Sequence, residues 1–141
     1  MRVGGGSPAR YKLIKSKMKR IIFVGMHNKE GMKPLDSHTK TGKIIDAVIL
    51  KIKAECVKSN LCNTDYFVDD SYELLLQNKE WLERIEPSNE DIVITLGQWV
   101  YDNLQRGDFK IIRSKHPASL FGVSKVEEYK SYILNKLSDY L

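Results

Sequence analysis

Apolar residues along this chain come in two rhythms. Four short segments read as strands, the clearest of them runs of β-branched residues: residues 19–25 (KRIIFVG), 57–62 (VKSNLC), 91–97 (DIVITLG) and 109–114 (FKIIRS). Such runs predict buried strands. Between them the apolar residues are spaced as on a helix. Over 43–56 they fall at Ile44, Ile45, Val48, Ile49 and Ile52, with Asp36, Ser37, Thr39 and Thr41 as candidate caps. An amphipathic helix is predicted over 71–85, led by Ser71 as cap. A short one follows over 98–107, closed by Gly107. A terminal one covers 124–141, with Ser124 as cap and Glu127 completing a capping box.

Strand then helix, four times over, predicts an α/β fold. The expected form is a three-layer αβα sandwich around a short four-stranded parallel sheet, with right-handed crossovers. In such sheets a ligand site lies outside the carboxyl ends of the strands. The segments expected there are GMHNKEGMKPLDSHT, NLCNTDYF, LGQ and SKHPASLFG.

Composition changes this picture little. The chain has 141 residues, 42% hydrophobic and 29% charged, as expected for one soluble domain. No apolar run reaches the ~20 residues of a membrane span. No apolar signal core follows the N-terminus, so an intracellular, cytoplasmic protein is expected. The net charge of +5 is unevenly placed. Arg2, Arg10, Lys12, Lys15 and Lys17 all lie within residues 1–17, which hold no acid. Taking those five from the 23 basic residues leaves as many bases as the 18 acids. Residues 1–17 therefore read as a flexible basic arm, either a natural tail or a tag remnant, and 18–141 as the domain. A neutral body still permits nucleic-acid binding through a local basic patch.

Several polar or aromatic residues have plain structural readings. Trp81 and Trp99 stand among apolar residues at helical spacing, which predicts core packing. Cys56 and Cys62 read as reduced, buried small hydrophobes. His38 reads as a solvated loop residue. His27, His38 and His116 have no recognised metal-ligand spacing, so neither a metal nor another cofactor is expected. His116 and Asn60 stay open between two readings. His116 either caps its own loop or donates into a site, and Asn60 is either a strand-end turn residue or a base reader.

Four elements in one order resemble the uracil-DNA glycosylase superfamily, from about Ile21 to the C-terminus. FVGMHNKEG stands where that family has a strand followed by Gly-x-(Asp/Asn/Glu/Ala)-Pro. KPLDSHTKTGKIID resembles the loop into its first helix. KSNLC resembles the strand whose Asn reads the base. SKHPASL resembles its His-Pro-Ser motif. IEPSNEDIVITLGQWVYDNL further resembles its third strand and following helix.

The resemblance implies a cofactor-free monomer that flips a damaged or modified base out of DNA and hydrolyses its N-glycosidic bond, in base excision repair. His116 would stabilise the departing base, and His27 or Asn28 would place the attacking water. Asn60 would read the base beside Gly25 and Met26. Leu35 would stack on the base, with Tyr66 and Phe67 as other candidates. Ser37, Thr39, Lys115, Pro117 and Ser119 would meet the DNA backbone, and Leu120 and Phe121 would wedge the duplex. Two departures mark the chain: His27 and Asn28 occupy the slots for a carboxylate or amide and for proline, and Ala118 displaces the motif's serine by one. They keep open a non-catalytic module that binds a base, a nucleotide, nucleic acid or a partner protein, and the neutral body keeps open, further off, an enzyme of free nucleosides or nucleotides.

Overall fold

The computed structural model describes residues 19–140, so the basic arm expected over 1–17 lies outside the described residues. Four strands form one sheet: β1 (Arg20–His27), β2 (Glu55–Cys62), β3 (Ile92–Leu96) and β4 (Lys110–Ser114). Four helices alternate with them: α1 (Lys40–Ile49), α2 (Ser71–Ile85), α3 (Gln98–Asn103) and α4 (Val123–Ser138). The sheet order is β2-β1-β3-β4 and every pairing is parallel. The fold is α/β, as the alternation predicts.

Side-chain alternation along the strands divides the core in two. Ile21 and Phe23 of β1, with Ile92, Ile94 and Leu96 of β3, face Ile44, Ile45 and Val48 of α1 and Ile133 and Leu137 of α4. Ile22, Val24 and Val93 face Trp81 and Ile85 of α2 and Val100 of α3. Helices thus cover both faces, the arrangement that right-handed parallel crossovers produce when strand order reverses. The reversal falls between β1 and β3.

Element boundaries differ from expectation for identifiable reasons. The helix predicted over 43–56 starts at Lys40 and stops at Ile49, and Glu55 and Cys56 belong to β2. Backbone bonds from Lys51 to Val48 and from Ile52 to Ile49 close a turn there, leaving Ile52 packed on the core without being helical. Thr39 is its cap, its hydroxyl accepting from the Gly42 N–H at 2.9 Å. Asp70, not Ser71, caps α2, because its carboxylate accepts from the Glu73 N–H at 2.8 Å. A carboxylate there also meets the positive end of the helix dipole.

The helix predicted over 98–107 ends at Asn103, short of Gly107. The buried Asn78 of α2 ends it by taking both backbone groups: its amide donates to the Asn103 carbonyl at 3.0 Å and accepts from the Gln105 N–H at 2.7 Å. The terminal helix starts at Val123 after Gly122, so Ser124 lies inside its first turn. Glu127 pairs with Lys130 instead of closing a capping box. β1 runs two residues past its expected end, which places Met26 and His27 on the strand. Both cysteines are free thiols, Cys62 buried and Cys56 half-buried. Trp81 is fully buried and Trp99 packs at the edge of the same cluster.

At the amino ends of the strands, Asp91 ties β1 to β3. Its carboxylate accepts from Arg20 Nη2 at 2.8 Å, the Arg20 backbone N–H at 3.1 Å and the Ser88 N–H at 2.9 Å. Burial alone would raise its pKa, but the Arg20 guanidinium and these N–H donors outweigh it and hold the carboxyl below its usual value. The stability it contributes is therefore full above the free carboxyl's range and is lost as pH falls through the lowered value. Asp91→Ala leaves Arg20 without its carboxylate and should cost about 2 kcal/mol. Urea unfolding at neutral pH checks this, and the cost should shrink in acid.

Candidate functional site

Seven of the sixteen residues singled out for a site meet at one cavity of about 220 Å³ beyond the carboxyl ends of β1 and β2. Gly25, Met26 and His27 reach it from β1 and Asn60 from β2. Leu35 and Thr39 come from the loop before α1, and His116 from the loop after β4. Asn28 follows β1 directly and touches the site through Asn60.

Gly25 and Asn60 are register partners on neighbouring strands. A Cβ on Gly25 would overlap Asn60 Oδ1 and stand 2.9 Å from Leu35 Cδ2. Only a residue without a side chain lets the Asn60 amide and the Leu35 methyls reach the cavity there. Leu35 adopts φ 50°, a left-handed conformation that is strained for a leucine, and its side chain is 9% exposed. The segment behind it is held by Asp36, whose carboxylate accepts from the His38 N–H at 2.9 Å and the His38 ring at 2.8 Å. Those bonds, first the backbone one, hold the Asp36 carboxyl below its usual value.

Asn60 is 2% exposed and its amide is held from behind. Its Nδ2 donates to Asn28 Oδ1 at 2.6 Å, and Asn28 Nδ2 donates to Asn63 Oδ1 at 3.3 Å. The Asn28 N–H bonds the Thr64 carbonyl at 2.8 Å, and Arg84 Nη2 donates to the Asn60 carbonyl at 2.9 Å. Asn60 keeps Oδ1 and one N–H for a ligand.

The two histidines are fixed in opposite tautomers by their neighbours. His27 Nδ1 lies 2.9 Å from the Asn28 carbonyl, which can only accept, so neutral His27 carries its proton on Nδ1. Its Nε2 is then a base. The Ala118 backbone N–H, which can only donate, lies 3.1 Å from His116 Nδ1, so neutral His116 carries its proton on Nε2. That nitrogen is a donor. The structure bears out the first reading of His116, a cap on its own loop through Nδ1 at the 3₁₀ turn Pro117–Ser119, and it shows Nε2 with no hydrogen-bond partner among the described residues. Burial lowers the His116 pKa, which favours the neutral ring. Gly97, at φ 96°, lets β3 end directly beneath this ring, since a Cβ there would lie 3.2 Å from His116 Cβ.

The remaining residues fall elsewhere or are already committed. The Thr39 hydroxyl donates to the Asp36 carbonyl at 2.7 Å while capping α1. Ser119 spends its hydroxyl on the His116 carbonyl at 2.7 Å and its N–H on the same oxygen at 2.9 Å. Neither is poised to grip a phosphate. Ser37 is exposed, does not line this cavity, and accepts from Lys58 at 3.3 Å. Pro117 is buried. Leu120, expected as a wedge, packs in the core at 6% exposed, leaving Phe121, at 78%, as the apolar tip of that loop. Lys115 is exposed and lines a neighbouring cavity. Tyr66 and Phe67 do not line the histidine cavity. Tyr66 donates to Glu73 at 2.7 Å and Phe67 packs on Trp99. His38 is solvated, as expected.

Sequence reasoning missed Lys29, Lys33 and Lys40, which line the cavity against a single carboxylate, Asp36. Their place in a turn-rich segment after a strand was the available signal. Lys40 donates to the Ala118 carbonyl at 3.4 Å and to the Leu120 carbonyl, with its ammonium 4.4 Å from the Phe121 ring centroid. It fastens the 116–122 loop to the start of α1. Among the described residues no group of three or more His, Cys, Asp or Glu side chains is placed to hold a metal ion. No helix among them is long and apolar enough to cross a membrane. A scan against protein-family models and a search of curated proteins found no match to this chain.

The lowered His116 pKa has a stability consequence. The unfolded chain takes up the proton near pH 6.5, before the folded ring does, so stability falls as pH drops below 6.5 toward the lowered value and is level above 6.5. Urea midpoints measured from about pH 7.5 to about pH 5 should fall more steeply for the native protein than for His116→Asn, which keeps an acceptor but cannot titrate.

Proposed function

We propose that this protein is a monofunctional DNA glycosylase with the uracil-DNA glycosylase fold, hydrolysing the N-glycosidic bond of uracil or another deaminated or modified base. The observation that carries this reading is the pairing, around one cavity, of a histidine whose free nitrogen accepts and a histidine whose free nitrogen donates. The Asn60 amide stands between strand end and loop in the same cavity.

The reaction asks for these groups. Water attacks C1′ as the C1′–N bond breaks, and the bonding pair leaves on the base. His116 Nε2–H supplies a hydrogen bond where negative charge grows on the base oxygen, and it does so as a neutral donor. His27 Nε2 accepts the proton of the attacking water. The products are a free base and an abasic sugar. Asn60 Oδ1 and its remaining N–H match the N–H and carbonyl of a deaminated base edge. Asn28 holds that amide in position and has no part in placing water. Leu35 provides the apolar face against which the base lies, and Lys29 and Lys33 set a positive field at the cavity for the strand's phosphates.

A second reading has one observation in its favour: the hydroxyls of Thr39 and Ser119 are already bonded within the protein. A binding module that keeps the cavity and has lost hydrolysis fits that economy of phosphate contacts.

Labelled oligonucleotides carrying one uracil, hypoxanthine, xanthine or hydroxymethyluracil, single- and double-stranded, separate the two. After incubation and hot alkali, a glycosylase leaves a nick at one modified base. His116→Ala should slow it by ~10²–10³ with little change in DNA affinity. Equal loss of rate and affinity removes His116 from the chemistry. Absence of nicking at every base by folded protein at high concentration counts against hydrolysis and favours the binding module.

A further inference from the structure

A second cavity, of about 570 Å³, lies between the end of β4, the 116–120 loop and α4, and nothing above uses it. Sites for small ligands run from ~300 to ~1,000 Å³. The larger cavity therefore has room for a nucleotide, whereas the 220 Å³ one falls below that range and suits a base alone. His116 lines both. On the glycosylase reading, a base in the smaller cavity with its oxygen on His116 brings the strand to the one lining residue that the two cavities share among the described residues.

We propose that the larger cavity seats the nucleotide adjoining the extruded one on the same strand, with its base against the Tyr132 ring. This rests on the glycosylase reading of the smaller cavity. The walls suit a nucleotide in order. Tyr132 of α4 offers its ring, and its hydroxyl donates to the Arg113 carbonyl at 2.9 Å, which fixes the ring by its edge. The ammonium of Lys136 lies 5.7 Å from the ring centroid. The floor is the buried pair Ser114 and Tyr129, whose hydroxyls lie 3.0 Å apart, with Ser114 Oγ donating to the Thr95 carbonyl at 2.9 Å. Burial pushes the Tyr129 phenol up to about 12, so the floor stays uncharged. Charge sits at the rim, where Lys115 and Lys125 outnumber Glu128, 3.6 Å from Lys125. An accessible aromatic ring beside cations is what a base and its phosphate require.

Fluorescein-labelled pentathymidylate and unlabelled thymidine are the probes, and Tyr132→Leu and Tyr132→Phe the variants. Loss of one base–aromatic stack should weaken pentathymidylate binding about tenfold in Tyr132→Leu. Tyr132→Phe keeps the ring and should restore it, and thymidine affinity should be the same in all three proteins. Circular dichroism checks that each is folded. Unchanged pentathymidylate affinity in Tyr132→Leu, parallel loss for thymidine, or failure of the native protein to bind the strand overturns the second seat. The nicking assay reads the other proposal separately. Native protein that binds the strand through Tyr132 yet leaves no abasic site keeps this seat and rejects hydrolysis.

Discussion

The fold depends on β1 being closed on every side. Ile21, Ile22, Phe23 and Val24 have no exposed surface, and the strand is hydrogen-bonded to β2 on one edge and β3 on the other. Its side chains alternate between two helical layers, so each layer packs on residues that cannot move without disturbing the other. A strand so enclosed gives its carboxyl end one fixed position. Gly25, Met26 and His27 sit on that end, and their placement is a property of the core more than of the loop that follows.

The same enclosure explains how asparagine amides come to do positioning work. Asn60 is almost fully buried at the end of a strand and cannot leave its polar groups unpaired without cost. Asn28, itself bonded to Asn63, satisfies one side of it, and the absent side chain of Gly25 leaves the other side open to the cavity. Histidine chemistry at the site is set by equally local means, since one carbonyl and one N–H decide which nitrogen of each ring carries the proton.

Much of this was legible in the sequence because it rests on period. The four apolar runs mark the four strands, and Ile44, Ile45 and Val48 mark the inner face of α1. The strand ends locate the segments that hold Gly25, His27, Leu35, Asn60 and His116, and the resemblance picked those residues out of them. What was not legible depends on contacts distant in sequence. Asn78 ends α3 through groups on Asn103 and Gln105, and no local signal near Gly107 reveals that. Ile52 continues the helical rhythm but lies past the turn. The hydroxyls of Thr39 and Ser119 suit phosphate by type, and only the structure shows them already spent on carbonyls of their own loops. The resemblance to the glycosylase superfamily placed the candidate roles. The tautomers of His27 and His116, on which the proposed chemistry turns, have no counterpart in a residue string.

The sheet order carries a consequence for folding. Asn60 lies on one edge strand of the sheet, and His116 follows the other, with β1 and β3 between them. Bringing the two together closes a long loop and requires all four strands in register, so the site is among the last contacts to form and among the first to open. Fraying of β4 alone would dismantle it while leaving most of the core intact. Any function of the cavity is then a sensitive reporter of native cooperativity, failing well before bulk secondary structure is lost.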